Sequence, residues 1–127
     1  MTEPRFLLDT NVCIYIAEKT SPILIDRLEK CQRGTLVTSA IVYAEFVRGV
    51  DWTSDKAEQT LTELFDDVDI LPFDTQAARQ YASLPFVRHR LDRLIAAHAL
   101  SLDLTLITAN LRDFADVDGL RVEDWTR

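Results

Sequence analysis

Two kinds of pattern alternate along the chain: short apolar runs that stop on a polar residue, and longer stretches with apolar residues three and four apart. The runs "RFLLD" (5–9), "TLVTS" (35–39), "DILPF" (69–73), "TLITA" (105–109) and "LRVED" (120–124) predict five strands. Helices are predicted for "VCIYIAEK" (12–19), "SPILIDRLEKCQ" (21–32), "AIVYAEFVRGV" (40–50), "DKAEQTLTELFDDV" (55–68), "TQAARQYASL" (75–84) and "LDRLIAAHALSL" (91–102). Ser21 and Pro22 suit a helix cap and first turn, and Gly49 suits a helix end. Pro72 cannot donate to a ladder, so the third strand is predicted to be peripheral. No internal repeat or low-complexity stretch interrupts the alternation. Strands alternating with helices predict a three-layer α/β domain, with a mostly parallel central sheet of about five strands flanked by helices. At 127 residues, the whole of 1–127 is expected to form one domain with a sizeable buried core.

In sheets of this type, ligands bind beyond the carboxyl ends of the strands, so the polar residues that end strands are the ones to collect. Asp9 ends the first strand. Thr38 and Ser39 end the second, which runs directly into the helix carrying Glu45. Thr108 ends the fourth, followed by Asn110 and Asp113 in a turn or first helical turn. Asp92 lies near the start of the helix that leads into the fourth strand, so its end of that helix lies near the strand's carboxyl end. Four carboxylates from distant parts of the chain are therefore predicted to meet at one edge of the sheet. Each has a plainer alternative: Asp9 as a helix cap, Glu45 paired with Arg48, Asp92 favoured by a helix dipole or paired with Arg88, and Asp113 as a turn residue. Asn110 and Asp116 stand as alternatives to Asp113 for the fourth position. His98, inside "LIAAHAL", has no second His or Cys at ligand spacing and reads as a helix-packing residue.

Composition sharpens this in two ways. The net charge of −7 lies in one place: residues 51–74 carry eight acids against Lys56, whereas 1–50 and 75–127 are each neutral. That segment reads as a solvated helix face that keeps the protein soluble. The net acidity therefore leaves a local basic stretch, "RQYASLPFVRHRLDR", whose Arg88, Arg90 and Arg93 are predicted to contact nucleic-acid phosphates. Cys13 and Cys31 lack metal-ligand spacing and are expected to be reduced core thiols. No apolar run reaches the length of a membrane span and no leader pattern begins the chain, so a cytoplasmic location is expected.

Carboxylates gathered without basic partners repel one another unless a multivalent cation neutralises them. An all-oxygen donor set suits Mg²⁺, with Mn²⁺ as a substitute, better than zinc. Such ions activate water and orient phosphodiesters, which implies phosphodiester hydrolysis without a serine or cysteine nucleophile. Thr10, Asn11, Thr108 and Asn110 would orient the carboxylates or hydrogen-bond the phosphate.

"LLDTNV", "SAIVYAE", "DRLIAAHAL" and "LITANLRDFADVDGLRVEDW" together resemble the PIN-domain ribonucleases, and within them the VapC toxins of bacterial toxin–antitoxin pairs. The resemblance covers nearly the whole chain. Carried over by position, it implies that Asp9, Glu45, Asp92 and Asp113 are the acidic metal-binding and catalytic quartet, with Thr10, Asn11, Thr108 and Asn110 beside it. It further implies Mg²⁺-dependent endonucleolytic cleavage of RNA, commonly at a structured tRNA or rRNA site. The implied partners are a second copy of the chain, giving a homodimer, and a small antitoxin. The segment "FVRHRL" before Asp92 departs from the glycine turn and asparagine of many relatives.

Other classes fit less well. A signalling receiver domain needs an acidic pair after the first strand and a late lysine; here Thr10 and Asn11 follow Asp9, and no lysine follows Lys56. A dehalogenase-like phosphatase needs a second aspartate where Asn11 stands. The alternative that stays open is a degenerate PIN-like module that binds RNA or a partner without catalysis.

Overall fold

The structure, a computed structural model, describes residues 2–88 and 90–127, so His89 of the "FVRHRL" segment lies outside the described residues. Five strands form one sheet in the order β3-β2-β1-β4-β5, with every pairing parallel. They are β1 (Phe6–Leu8), β2 (Leu36–Ser39), β3 (Asp69–Leu71), β4 (Thr105–Ile107) and β5 (Val122–Glu123). The expected sheet is thus present, and its pairing is parallel throughout.

The central strands are short apolar runs because both of their faces are covered. Leu7, Leu8, Val37, Leu106 and Ile107 are fully buried, as strands enclosed by helices on both sides require. Six α-helices flank the sheet: α1 (Thr10–Glu18), α2 (Pro22–Glu29), α3 (Ala40–Arg48), α4 (Ala57–Asp67), α5 (Thr75–Ala82) and α6 (Asp92–Ser101). Ser21 caps α2, accepting from the Leu24 amide at 3.3 Å, with Pro22 in its first turn. Strand β3 lies at the sheet edge with Asp69 and Ile70 exposed, as Pro72 predicted. At the opposite edge, Trp125 is buried against Phe6 with ring centroids 4.8 Å apart.

The strand order places the site. From β1 the chain steps outward to β2 and β3, then returns across to β4 on the other side of β1 and continues to β5. Right-handed crossovers in opposite directions put α1–α4 on one face and α5–α6 on the other. Accordingly α1 packs with α3 and α4, while α5 packs along α6. The reversal falls between β1 and β4, where their carboxyl ends open a crevice between diverging connections.

Helix α6 is enclosed rather than amphipathic. Arg93, Ile95, Ala96, Ala97, His98 and Ala99 are all buried, so this helix is a central packing element and not a surface one. His98 is 1% exposed, its Nδ1 is 2.7 Å from the Ser39 hydroxyl, and its ring meets Phe73 edge-on, which bears out the helix-packing assignment. Burial also pushes the imidazole below its ordinary pKa.

The acidic segment behaves as a solvated face: Glu58, Glu63, Asp66 and Asp67 of α4 are exposed while Ala57, Leu61 and Leu64 point inward. Both cysteines are free. Cys13 matches the core expectation, with burial pushing its thiol up to about 12, whereas Cys31 sits just after α2 and is only half-buried. Among the described residues, no helix is long and apolar enough to cross a membrane.

Candidate active site

Asp9 follows β1 directly, at the carboxyl end of the central strand. Its backbone amide donates to the Ile107 carbonyl at 3.1 Å, which extends the β1–β4 ladder by one rung and fixes the residue against β4. Its side chain caps α1, accepting from the Val12 amide at 2.9 Å. Capping by Asp9 therefore occurs, and it orients the carboxylate without using all its oxygens. Asp9 is 8% exposed. Burial raises its pKa; the nearby Thr108 hydroxyl and the Val12 amide pull it back, and the Glu45 and Asp113 charges raise it again.

Around Asp9 a cleft of about 150 Å³ is lined by Thr10, Asn11, Glu45, Asp92, Ile95, Thr108, Asn110, Asp113 and Phe114. All four sequence-selected acids and all four of their polar companions are among these residues. Larger clefts lie elsewhere. The one of about 480 Å³ between α1, α2 and α4 is lined by Ile16, Ile25 and Leu64, and its Asp26 pairs with Lys30 at 2.9 Å. It does not gather carboxylates at strand ends, so the chemistry points to the smaller cleft.

Each acid is held by a different element. Glu45 enters from the second turn of α3 and accepts a hydrogen bond from the Thr10 hydroxyl at 2.7 Å. The alternative pairing with Arg48 is absent among the described ion pairs. Asp92 is the first residue of α6, where the helix dipole favours a carboxylate. Its ion pair is with Arg90, not Arg88: Arg90 Nε donates to Asp92 Oδ1 at 3.1 Å and Nη2 donates to Oδ2. Asp113 lies in a 3₁₀ helix (Leu111–Phe114) after β4, and its Oδ2 accepts from the Asn110 side-chain amide at 2.9 Å. The Thr108 hydroxyl accepts from the Asn110 backbone amide at 3.1 Å.

The three candidates for the fourth position, Asp113, Asn110 and Asp116, do not share one place. Asn110 and Asp113 both line the cleft, whereas Asp116 points to a different groove and binds Arg93.

The three arginines separate. Arg88 is exposed. Arg90 reaches into the cleft, with Nη2 also 3.4 Å from Asp113 Oδ1. Asp92, through hydrogen bond and charge, and Asp113 behind it hold the guanidinium above its ordinary pKa. Arg93 is 4% exposed and differs from the expected basic surface. Its Nη1 donates to Asp116 Oδ1 at 2.8 Å and its Nη2 to the Asp113 carbonyl at 3.0 Å, so its guanidinium faces inward and is not free to meet a phosphate. The signal was present in "DRLIAAHAL": in a segment this apolar, the helix is buried all round, and an arginine in its first turn is buried with it. Sequence reasoning also missed Ile95 and Phe114 as apolar walls of the cleft.

The donor set is anionic and all-oxygen, and the carboxylates that raise the Asp9 pKa mark a surplus of negative charge, so in kind these residues fit a hard divalent cation. In arrangement the set is open. Among the described residues, no three His, Cys, Asp or Glu side chains converge in a geometry that holds a metal ion.

Comparison with known proteins bears on the same residues. Residues 6–120 match the PIN domain family. The tRNA(fMet)-specific endonuclease VapC of Shigella flexneri is 30% identical over 132 residues, which cover 96% of this chain and 98% of that protein. Ribonuclease VapC2 of Rickettsia felis is likewise 30% identical, over 133 residues and the same shares. The crystal structure of VapBC2 from Rickettsia felis, bound to a DNA fragment from its promoter, superposes with a TM-score of 0.81 at 29% identity. It covers 98% of this chain and 99% of that one.

Proposed function

From the premise that the chain belongs to the PIN-domain family, we propose that it is the toxin of a toxin–antitoxin pair, a metal-dependent endoribonuclease that hydrolyses RNA phosphodiesters. One observation carries this reading: four carboxylates from four separate elements line one cleft at the strand-order reversal. Asp9 is held buried beside the like charges of Glu45 and Asp113, an arrangement that a divalent cation would relieve.

Asp9, Glu45 and Asp92 would hold Mg²⁺, or Mn²⁺ in its place, with Asp113 assisting or holding a second ion. When bound, the cation supplies neutralisation of the carboxylates, activation of water and stabilisation of charge on the leaving oxygen. The chain's own groups do the orienting. The rigid β1 end and the Val12 amide fix Asp9, the Thr10 hydroxyl holds Glu45, and the Asn110 amide holds Asp113. Asn11, exposed at the cleft, is free to hydrogen-bond a phosphate, and the nearby Thr108 hydroxyl favours the charged form of Asp9. Arg88 and Arg90 are the proposed RNA-phosphate contacts. The buried Arg93 is proposed to act indirectly, by holding the Asp113 backbone.

The substrate is proposed to be a structured tRNA or rRNA site, in keeping with the tRNA specificity that the Shigella flexneri relative's name carries. The proposed partners are a small antitoxin, as the toxin–antitoxin complexes among structural relatives suggest, and a second copy of the chain. The setting is the cytoplasm, where tRNA and ribosomes are, and 1–127 acts as one nuclease domain. The competing reading, a non-catalytic PIN-like module, draws on the open arrangement of the carboxylates.

Asp9→Asn separates the two readings. It removes one charge while keeping volume and the cap oxygen, so RNA cleavage with Mg²⁺ should fall to background in a protein with an unchanged circular dichroism spectrum. Cleavage at the parent rate would overturn the proposal.

A further inference from the structure

Arg90 and Arg93 stand three residues apart and are used in opposite ways. Arg93 is enclosed, its side chain 5% exposed, and its guanidinium joins the Asp113 carbonyl to Asp116. The Arg90 side chain is more than a third exposed, and Arg90 itself lies outside any helix or strand, two residues before α6. Its one guanidinium touches the side chains of two of the proposed metal ligands, Asp92 through two donors and Asp113 at 3.4 Å. Asp113 is itself 40% exposed. The carboxylates are thus neutralised in part by a cation of the chain's own.

A guanidinium and a divalent cation cannot both take the same oxygens of Asp92. We infer that Arg90 is an exchangeable counter-ion of the site: it holds Asp92 and Asp113 while the divalent cation is absent, yields them when the cation binds, and is thereby freed for an RNA phosphate. The inference rests on the proposed nuclease reading and adds a positioning residue to it. Two properties make exchange reasonable. The Arg90 and Asp113 side chains are each more than a third exposed, and Asp92, 19% exposed, would pass from the guanidinium directly to the divalent cation, so exchange strands no buried charge. A planar guanidinium also suits a phosphate as well as a carboxylate, so Arg90 has a second partner of matching geometry when RNA is present. Metal binding and RNA binding would then be coupled through one side chain, and by linkage the coupling is mutual.

Mn²⁺ titration of the purified full chain, read by the electron paramagnetic resonance signal of free Mn²⁺, tests this without using activity. Arg90→Gln removes the competing cation and should bind Mn²⁺ about tenfold more tightly than wild type, a difference of about 1.4 kcal/mol. Arg90→Lys keeps one charge but cannot span both carboxylates, and should fall between the two. If Arg90 were instead a structural clamp that assembles the ligands, Arg90→Gln would bind Mn²⁺ more weakly. Weaker or unchanged binding in Arg90→Gln, with wild type binding measurably, overturns the inference and leaves the nuclease reading standing. Absence of Mn²⁺ binding in wild type and both variants overturns the metal-site reading itself, and the inference with it. Should Arg90→Gln fail to fold, Arg90→Lys against wild type decides by the same sign. As a second readout, Mn²⁺ should tighten binding of a 2′-O-methylated, uncleavable RNA oligonucleotide more in wild type than in Arg90→Gln. An equal gain in both contradicts the release of Arg90 to phosphate.

Discussion

The molecule has two acidic regions, and they differ in everything but charge. On α4 the carboxylates of Glu58, Glu63, Asp66 and Asp67 project into solvent, where water screens them and neighbours such as Gln59 bind them loosely. In the cleft, Asp9, Glu45, Asp92 and Asp113 come from the residue after β1, from α3, from α6 and from the 3₁₀ helix after β4, and each is oriented by a specific donor. The first group follows one another along a single helix; the second is scattered over more than 100 residues and united only by the fold. Local acidity therefore says little about function, whereas carboxylates that the topology converges say a great deal.

The comparison can be broken most directly by neutralising one acid at a time. Glu45→Gln and Asp92→Asn should each reduce RNA cleavage about 100-fold or more, the scale on which misplaced or missing catalytic groups act. Glu58→Gln and Asp66→Asn on α4 should leave the rate unchanged in the same assay. Comparable losses in both regions would erase the distinction.

A smaller effect is expected from the frame that supports the cleft. Arg93→Gln removes a buried guanidinium that ties α6 to the Asp113 carbonyl and to Asp116. It should destabilise the protein by about 2 kcal/mol in urea unfolding, the range for losing hydrogen bonds to a charged, desolvated group. A loss below about 0.5 kcal/mol, typical of surface changes, would remove Arg93 from the frame.

The smallest expected effect runs in the opposite direction. Burial and neighbouring charge raise the Asp9 pKa above that of the unfolded chain, so folding favours the protonated form. The stability that this group contributes is present below the ordinary carboxylate value of about 3.9 and is lost as pH rises through the folded value. At neutral pH without metal, Asp9→Asn should therefore stabilise the fold on the order of 1 kcal/mol, or a few degrees in Tm. The gain should vanish in acid. A variant less stable than wild type at pH 7 in EDTA would mean that the Asp9 charge is already compensated within the chain.

Much of this was legible in the sequence because parallel strands buried on both faces must be apolar runs. A run such as "RFLLD" that ends on a carboxylate then marks the sheet edge where ligands bind. The strand, helix and cleft placements of Asp9, Glu45 and Asp92 follow from that logic. Asp113 was harder to separate from Asp116, since both lie in one short turn region, and it is the fold that sets Asp116 beside Arg93 in a different groove. The three arginines were the least legible. Their spacing suggested one basic surface, but α6 starts at Asp92, so Arg93 turns inward with the helix while Arg90 stays in the segment before it. That segment has no periodic pattern to read, and its contact with Asp92 and Asp113 depends on backbone conformation.

The central claim is that the cleft works through a divalent cation held by these acids. RNA cleavage by the wild-type chain in excess EDTA, followed by restoration with Mg²⁺, tests it most directly, with Asp9→Asn purified in parallel as the control for contaminating nuclease. Cleavage should fall to background in EDTA and recover on adding Mg²⁺. Undiminished cleavage in EDTA, absent from the Asp9→Asn preparation, would contradict the claim.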